Sequence, residues 1–99
     1  MDSVRFHRLA TQEYRFALGW YRKREASVAG RFRDAVDAAI VRILNDPDSH
    51  FEMADGIRSV RLRRFPYILV FVRDSPESLL ILAVAHAKRR SRYWNRRRP

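Results

Sequence analysis

The order of apolar and polar residues predicts a strand followed by a helix at the start of the chain. The opening stretch SVRFHR alternates, with Val4 and Phe6 on one side, which is typical of a half-buried strand. Over residues 10–25, apolar residues recur at steps of three and four, as they do on one face of a helix. Thr11 is the predicted N-cap. The members of this apolar face are Tyr14, Ala17, Leu18 and Tyr21.

A second helix is predicted over residues 27–45, where a wide apolar stripe runs along the chain. Ser27 is its predicted cap, and Pro47 ends it because proline disfavours helical geometry in the preceding residue. Only a short break near residues 26–30 separates the two helices, so we expect an antiparallel helical hairpin. The stripe consists of Phe32, Val36, Ala39, Ile40, Ile43 and Leu44.

The second half of the chain predicts three strands joined by short connections. Residues 48–56 are interpreted as a loop, and IRSVRLRR then alternates, with Val60 and Leu62 on one side. Two apolar runs follow, one opened by Pro66 and one ended by His86. Short connections favour an antiparallel meander. The sequence therefore predicts an α+β fold of order β-α-α-β-β-β, with the helical hairpin packed on one face of a small, mainly antiparallel sheet.

The last two predicted strands need apolar cover on both faces of the sheet. Residues 68–72 and 79–85 contain no polar side chain. Two helices can cover only one face of a small sheet. We therefore expect a C-terminal segment, a second subunit or a partner on the other face.

The composition points to one compact, basic domain with an anionic partner. The chain has 99 residues, 46% of them hydrophobic, and a formal net charge of +10 from 21 Lys and Arg against 11 Asp and Glu. From Ala85 to the end there are seven bases and no acid. We expect a single domain over residues 1–99, with a basic tail from about residue 87. A surface this positive attracts nucleic acid, an acidic protein segment or anionic lipid.

The sequence carries no signal for a cofactor, a metal or a membrane. There is no cysteine, and His7, His50 and His86 lie far apart without ligand spacing. No stretch approaches the roughly 18 unbroken apolar residues of a membrane span, and the N-terminus lacks a signal-peptide pattern. We expect a cytoplasmic protein without a cofactor.

One set of basic and aromatic residues has two interpretations. His86 is a candidate general base, arginines can hold a phosphate, and Tyr93 or Trp94 could stack on a base, as RNA cleavage requires. The simpler interpretation is that His86 ends a strand and the arginines keep a small apolar fold in solution. The residues alone favour the simpler interpretation, because clustered bases are only a statistical marker of a site. For Arg61 and Arg63, on one face of a predicted strand, the two interpretations are nearly equal, since outward arginines also discourage edge pairing.

Two stretches resemble the RelE/ParE family of toxins from bacterial toxin–antitoxin modules. They are GIRSVRLRRFPYILVFV and LLILAVAHAKRRSRYW, and the resemblance is strongest over residues 56–94. RFPYILVF and AVAHAKRRSRYW place the chain nearer the ParE-like branch. The resemblance implies the same order of strands and helices as the periodicity. It also implies a cognate antitoxin whose acidic, partly disordered segment folds onto the toxin in a hetero-oligomeric complex.

The resemblance implies one of two targets. ParE-like members poison DNA gyrase, whereas RelE-like members cut mRNA on the ribosome. The chain lacks the lysine-rich middle strand of the RelE-like nucleases, which favours gyrase. If RNA is the target, the resemblance implies His86, Arg89 and Tyr93 as catalytic residues. Residues implied to contact a target or nucleic acid are Arg61, Arg63, Lys88, Arg90, Arg92 and Trp94. A non-toxic, basic RNA-binding protein is the third alternative.

Overall fold

The computed structural model describes residues 3–88 and 92–99 and confirms the α+β fold. A helical hairpin packs on one face of a five-stranded sheet in the order β1-β5-β4-β3-β2. β1 lies parallel to β5, and the other neighbouring strands are antiparallel. The elements are β1 Ser3–Phe6, α1 Arg8–Arg24, α2 Ala26–Asn45, β2 Glu52–Ala54, β3 Ile57–Arg61, β4 Tyr67–Ser75 and β5 Ser78–His86, with short 3-10 helices at Pro47–Ser49 and Tyr93–Arg97.

The prediction of a plain loop over residues 48–56 was wrong, because this segment contains the edge strand β2. Asp55 and Gly56 both have positive φ, at 52° and 80°, and form the two-residue turn of a hairpin. Asp-Gly is a favoured pair for such a turn because both residues tolerate left-handed backbone. The Ser59 N–H also donates to the Phe51 carbonyl at 3.0 Å. Turn residues were visible in the sequence, but the strand before them is only three residues long.

The predicted helix caps were wrong as well. α1 begins at Arg8, and His7 caps it through Nδ1, which accepts from the Leu9 N–H at 3.0 Å. Thr11 lies within the first turn. α2 begins at Ala26, and the Ser27 hydroxyl donates to the Glu25 carboxylate at 3.0 Å instead of capping the helix. A single extended residue, Glu25, therefore separates the helices.

The His7 cap makes stability depend on pH. Burial, and then the charges of Arg97 and Arg8, lower the pKa of His7 below 6.5. The unfolded chain therefore binds a proton at a higher pH than the folded chain does. Stability from neutral His7 is present above pH 6.5 and is lost as the pH falls toward the folded pKa. We expect the free energy of unfolding, measured in urea at pH 7.5 and 5.5, to fall less in His7→Ser than in the wild type. An equal fall in both proteins would contradict this role of His7.

The helices and the sheet share one core. Phe32, Val36 and Ile43 of α2 are fully buried against Leu69 and Phe71 of β4. Tyr21 of α1 joins the same cluster. None of the helices in the described part of the chain is long and apolar enough to cross a membrane.

The outer face of the sheet is covered by the C-terminal segment, which was one of the three predicted alternatives. Trp94, in the last 3-10 helix, is 3% exposed and joins a cluster with Ile57, Val70 and Leu82. Tyr93 packs against the same cluster. This segment therefore holds the apolar face that the two helices leave uncovered.

Candidate functional site

The sheet register brings His86, Arg61 and the loop that contains Arg63 to one end of the molecule. Tyr67 at the start of β4 pairs with His86 at the end of β5. On the other side of β4, Arg61 at the end of β3 pairs with Ile68. The loop over residues 62–66 therefore lies beside the end of β5. We call this the His86 end of the sheet.

An open cleft of about 500 Å³ lies between α1 and the last part of β5. Phe16 lines it from the helix, Tyr67 and His86 line it from the sheet, and Tyr93 and Arg97 line it from the C-terminal segment. We call it the α1 cleft. It brings together two of the three residues that the resemblance implies as catalytic, His86 and Tyr93. The third, Arg89, lies outside the described residues, as does Arg90.

An ion pair that the sequence did not reveal closes one side of the α1 cleft. Arg97 contacts Glu13 through two hydrogen bonds of 3.0 and 3.1 Å, and both side chains are mostly buried. Glu13 also accepts from the Val84 N–H at 3.0 Å, and Arg97 donates to the Leu82 carbonyl at 2.9 Å. β1 pairs with β5 only as far as residue 81, so the backbone groups of β5 beyond that point have no partner strand on this edge. Glu13 and Arg97 form hydrogen bonds with two of these groups, which a longer β1 would otherwise bind.

His86 is held by contacts that suit a structural role. Its ring meets Tyr67 edge to face, with ring centroids 5.2 Å apart. Its Nδ1 accepts from the Lys88 N–H at 3.2 Å, which assigns the proton of the neutral ring to Nε2. The nitrogen that would accept a proton from a 2′-hydroxyl is therefore already engaged. This geometry argues against His86 as a general base.

The residues implied to contact a target divide into surface and core. Arg61, Arg63, Lys88 and Arg92 are exposed. Trp94 is buried against the outer face of the sheet, so its ring is not available for stacking on a base. Among the described residues of this set, a partner can therefore reach the four exposed bases.

Arg64 adopts a backbone conformation that arginine rarely takes. Its φ is 69°, and it lies in the loop between β3 and β4, beside Arg63. A non-glycine residue in this left-handed region costs about 1–2 kcal/mol. We expect Arg64→Gly to raise the free energy of unfolding by about 0.5–1 kcal/mol, after the added entropy of glycine in the unfolded chain is subtracted. Chemical denaturation measures this, and a loss of stability would show that the Arg64 side chain stabilises the loop.

Two large aromatic side chains of α1 remain exposed beside the cleft. Phe16 is 76% exposed and Trp20 is 44% exposed. Phe16 lines both the α1 cleft and a smaller neighbouring cleft, which Trp20, Pro66 and His86 also line. The Arg24 guanidinium lies 3.4 Å from the centre of the Trp20 ring. Apolar surface with bases at its rim is typical of a site for an acidic protein segment.

In the part of the chain that the structure describes, no three His, Cys, Asp or Glu side chains cluster closely enough to hold a metal ion. The titratable residues of the α1 cleft are instead used in hydrogen bonds, stacking and one ion pair.

Comparisons with known proteins agree with the fold. The family model for the ParE toxin of the ParDE type II toxin–antitoxin system matches residues 4–91. The structure is similar to a chain from a chromosomal ParDE toxin–antitoxin system of P. aeruginosa, with a TM-score of 0.75. The two share 15% sequence identity, and the similarity covers 89% of this chain and 98% of that one. No curated protein matches the sequence significantly.

Proposed function

Because the chain belongs to the ParE toxin family of type II toxin–antitoxin systems, we propose that it inhibits DNA gyrase and is neutralised by a cognate antitoxin. The family match carries this proposal, since it extends from β1 through β5 and beyond. The geometry of His86 supports the same branch of the family. Its Nδ1 is bound to a backbone N–H, so inhibition by binding fits this site better than RNA cleavage.

The antitoxin segment docks, in this proposal, at the α1 cleft. A segment that folds on binding must bury enough apolar surface to offset the cost of ordering it. Phe16 and Trp20 offer that surface beside a cleft of about 500 Å³. The net charge of +10 attracts an acidic partner. The cleft and the charge thus fit an acidic segment with bulky apolar side chains.

A ribosome-dependent endoribonuclease is the second candidate function. One observation favours it: His86, Tyr93 and Arg97 line the same open cleft. A nuclease requires a base, an acid and a cation near one phosphate. In the free protein Arg97 is paired with Glu13, so such a site would need that pair to separate.

Expression of the chain with and without the neighbouring reading frame tests the proposal. We expect growth arrest when the chain is expressed alone, and rescue by a small acidic partner. The purified chain should then inhibit supercoiling by gyrase or trap its cleavage complex. Full gyrase activity at saturating toxin, together with cut mRNA in translating extracts, would contradict the gyrase proposal and support the endoribonuclease.

A further inference from the structure

We propose that the His86 end carries a second interaction surface, which binds the phosphate backbone of duplex DNA directly. This inference goes beyond the proposed function, because it concerns the nucleic acid and needs no contact with gyrase. We call the surface the basic face. Its members in the described chain are Arg22, Lys23, Arg24, Arg31, Arg61, Arg63, Arg64 and Lys88.

The fold gathers these bases from four separate elements. The last turn of α1 reaches this end because Tyr21 packs on Phe65, with ring centroids 5.2 Å apart. The first half of α2 reaches it because Arg31 lines a groove with Arg63 and Arg64. Lys88 follows His86, whose strand ends beside the same loop. Bases far apart in sequence thus share one end of the molecule.

Carboxylates are scarce at the basic face and concentrated elsewhere. Glu25 lies between the two helices, and Asp34 lines the groove with Arg63. Most other acids lie in strand ends and turns at the opposite end of the sheet or follow α2: Asp46, Asp48, Glu52, Asp55, Asp74 and Glu77. The excess of positive over negative charge is therefore greatest at one end of the molecule, which raises the local concentration of a polyanion there.

Ion pairs within the described residues also lie away from the basic face. Arg5 pairs with Asp74, Arg58 with Glu52, Arg73 with Asp48, and Arg97 with Glu13. All members of the basic face are exposed, including Arg31, Arg63 and Arg64, which line one shared groove. Exposed arginines form two-pronged hydrogen bonds with phosphate oxygens and never lose their charge near neutral pH.

The chemistry of the basic face fits a duplex better than single-stranded RNA. Proteins that read single strands stack bases on open aromatic rings. Trp20 is the exposed ring nearest this surface, and Arg24 already covers it at 3.4 Å. Phe65 is half-buried and packs edge to face on Phe32. What remains are fixed cations, which is what recognition of a duplex backbone requires.

An acidic peptide fits the basic face less well than it fits the α1 cleft. Leu62 is buried, so the exposed side chains of residues 61–64 are guanidinium groups. The adjoining groove is lined by small or half-buried apolar residues, Val28, Ala35 and Phe65, and not by exposed aromatic anchors such as Phe16 of the α1 cleft. A peptide that orders on binding needs such anchors, whereas a rigid duplex does not. The left-handed backbone at Arg64 adds a separate observation, since strained residues concentrate at binding and catalytic sites.

Salt-dependent binding to a labelled 20-base-pair duplex tests the proposal. Fluorescence anisotropy would be measured from 50 to 200 mM salt for the wild type, for Arg63→Gln with Arg64→Gly, and for Arg15→Gln with Arg96→Gln. Arg15 and Arg96 are exposed but lie outside the basic face, so the control removes the same charge. We expect the first pair to weaken binding about tenfold and to reduce the slope of log K against log salt by about 2. The control pair should change affinity by less than about twofold.

Several outcomes would overturn the proposal. Equal losses in the two double variants would mean diffuse attraction, not a defined surface. The proposal would also be wrong if the protein did not bind the duplex at 100 mM salt, or if it bound single-stranded RNA or a polyglutamate peptide more tightly. Arg64→Gly is expected to stabilise the fold, so thermal melting separates lost binding from unfolding. Because the assay contains no gyrase, its failure is distinguishable from a failure of the gyrase proposal in the supercoiling assay.

Discussion

Replacing Trp94 with alanine is expected to lower the free energy of unfolding by roughly 3–5 kcal/mol. The ring is 3% exposed and packs with Ile57, Val70 and Leu82 on the outer face of the sheet. Alanine would leave a cavity there, and the C-terminal segment would lose its anchor. Domains of this size are stable by only about 5–15 kcal/mol, so the variant should unfold at a clearly lower urea concentration.

Trp20→Ala is the matched control, because Trp20 is the same residue type but 44% exposed. We expect it to cost less than about 1 kcal/mol, since an exposed side chain buries little area on folding. Urea denaturation of both variants, followed by circular dichroism, gives the comparison. Similar losses in the two proteins would mean that the C-terminal segment does not hold the outer face of the sheet.

The need for such an anchor was visible in the sequence, but its identity was not. Residues 68–72 and 79–85 are apolar throughout, which requires cover on both faces. Nothing in the spacing distinguished Trp94 from a surface tryptophan, because it follows a run of bases. Only the path of the chain across the sheet places its ring at Leu82 and Val70.

Uniform apolar runs also hide which side chains face which way. Val70 pairs with Ala83, but Phe71 pairs with Ile81, so β5 contains a bulge at Leu82. After the bulge, Val84 faces the helices, whereas strict alternation would have placed Ala83 there. Alternation predicts β3 correctly, because Arg61 interrupts Val60 and Leu62. It is silent on β5, where every side chain from Leu79 to Ala85 is apolar.

The candidate site was predictable only where its residues lie at the ends of strands. His86, Arg61 and Arg63 come together because three consecutive strands form a meander, and a meander can be inferred from short connections. Glu13 and Arg97 are 84 positions apart and carry no mutual signal in the sequence. Their pairing depends on how far β1 extends along β5, which only the structure determines.

Replacing Phe16 with glutamate is expected to weaken binding of the cognate antitoxin by about 100-fold. In the proposed complex, Phe16 is an aromatic anchor at the centre of the antitoxin surface, and such residues carry about 2 kcal/mol or more. The variant also places a carboxylate opposite an acidic segment, which adds repulsion. A loss of 100-fold corresponds to about 2.7 kcal/mol. Titration calorimetry with the purified antitoxin measures it directly.

Phe51→Glu is the matched control, because Phe51 is 73% exposed against 76% for Phe16 and belongs to the residues before β2, away from the α1 cleft. It should bind the antitoxin within about threefold of the wild type. In cells, Phe16→Glu should arrest growth even when the antitoxin is present, whereas Phe51→Glu should still be rescued. Rescue of both variants, or equal losses of affinity, would show that the antitoxin does not bind at the α1 cleft. The supercoiling assay separates this result from a damaged toxin, since a folded Phe16→Glu protein that binds gyrase elsewhere still inhibits it.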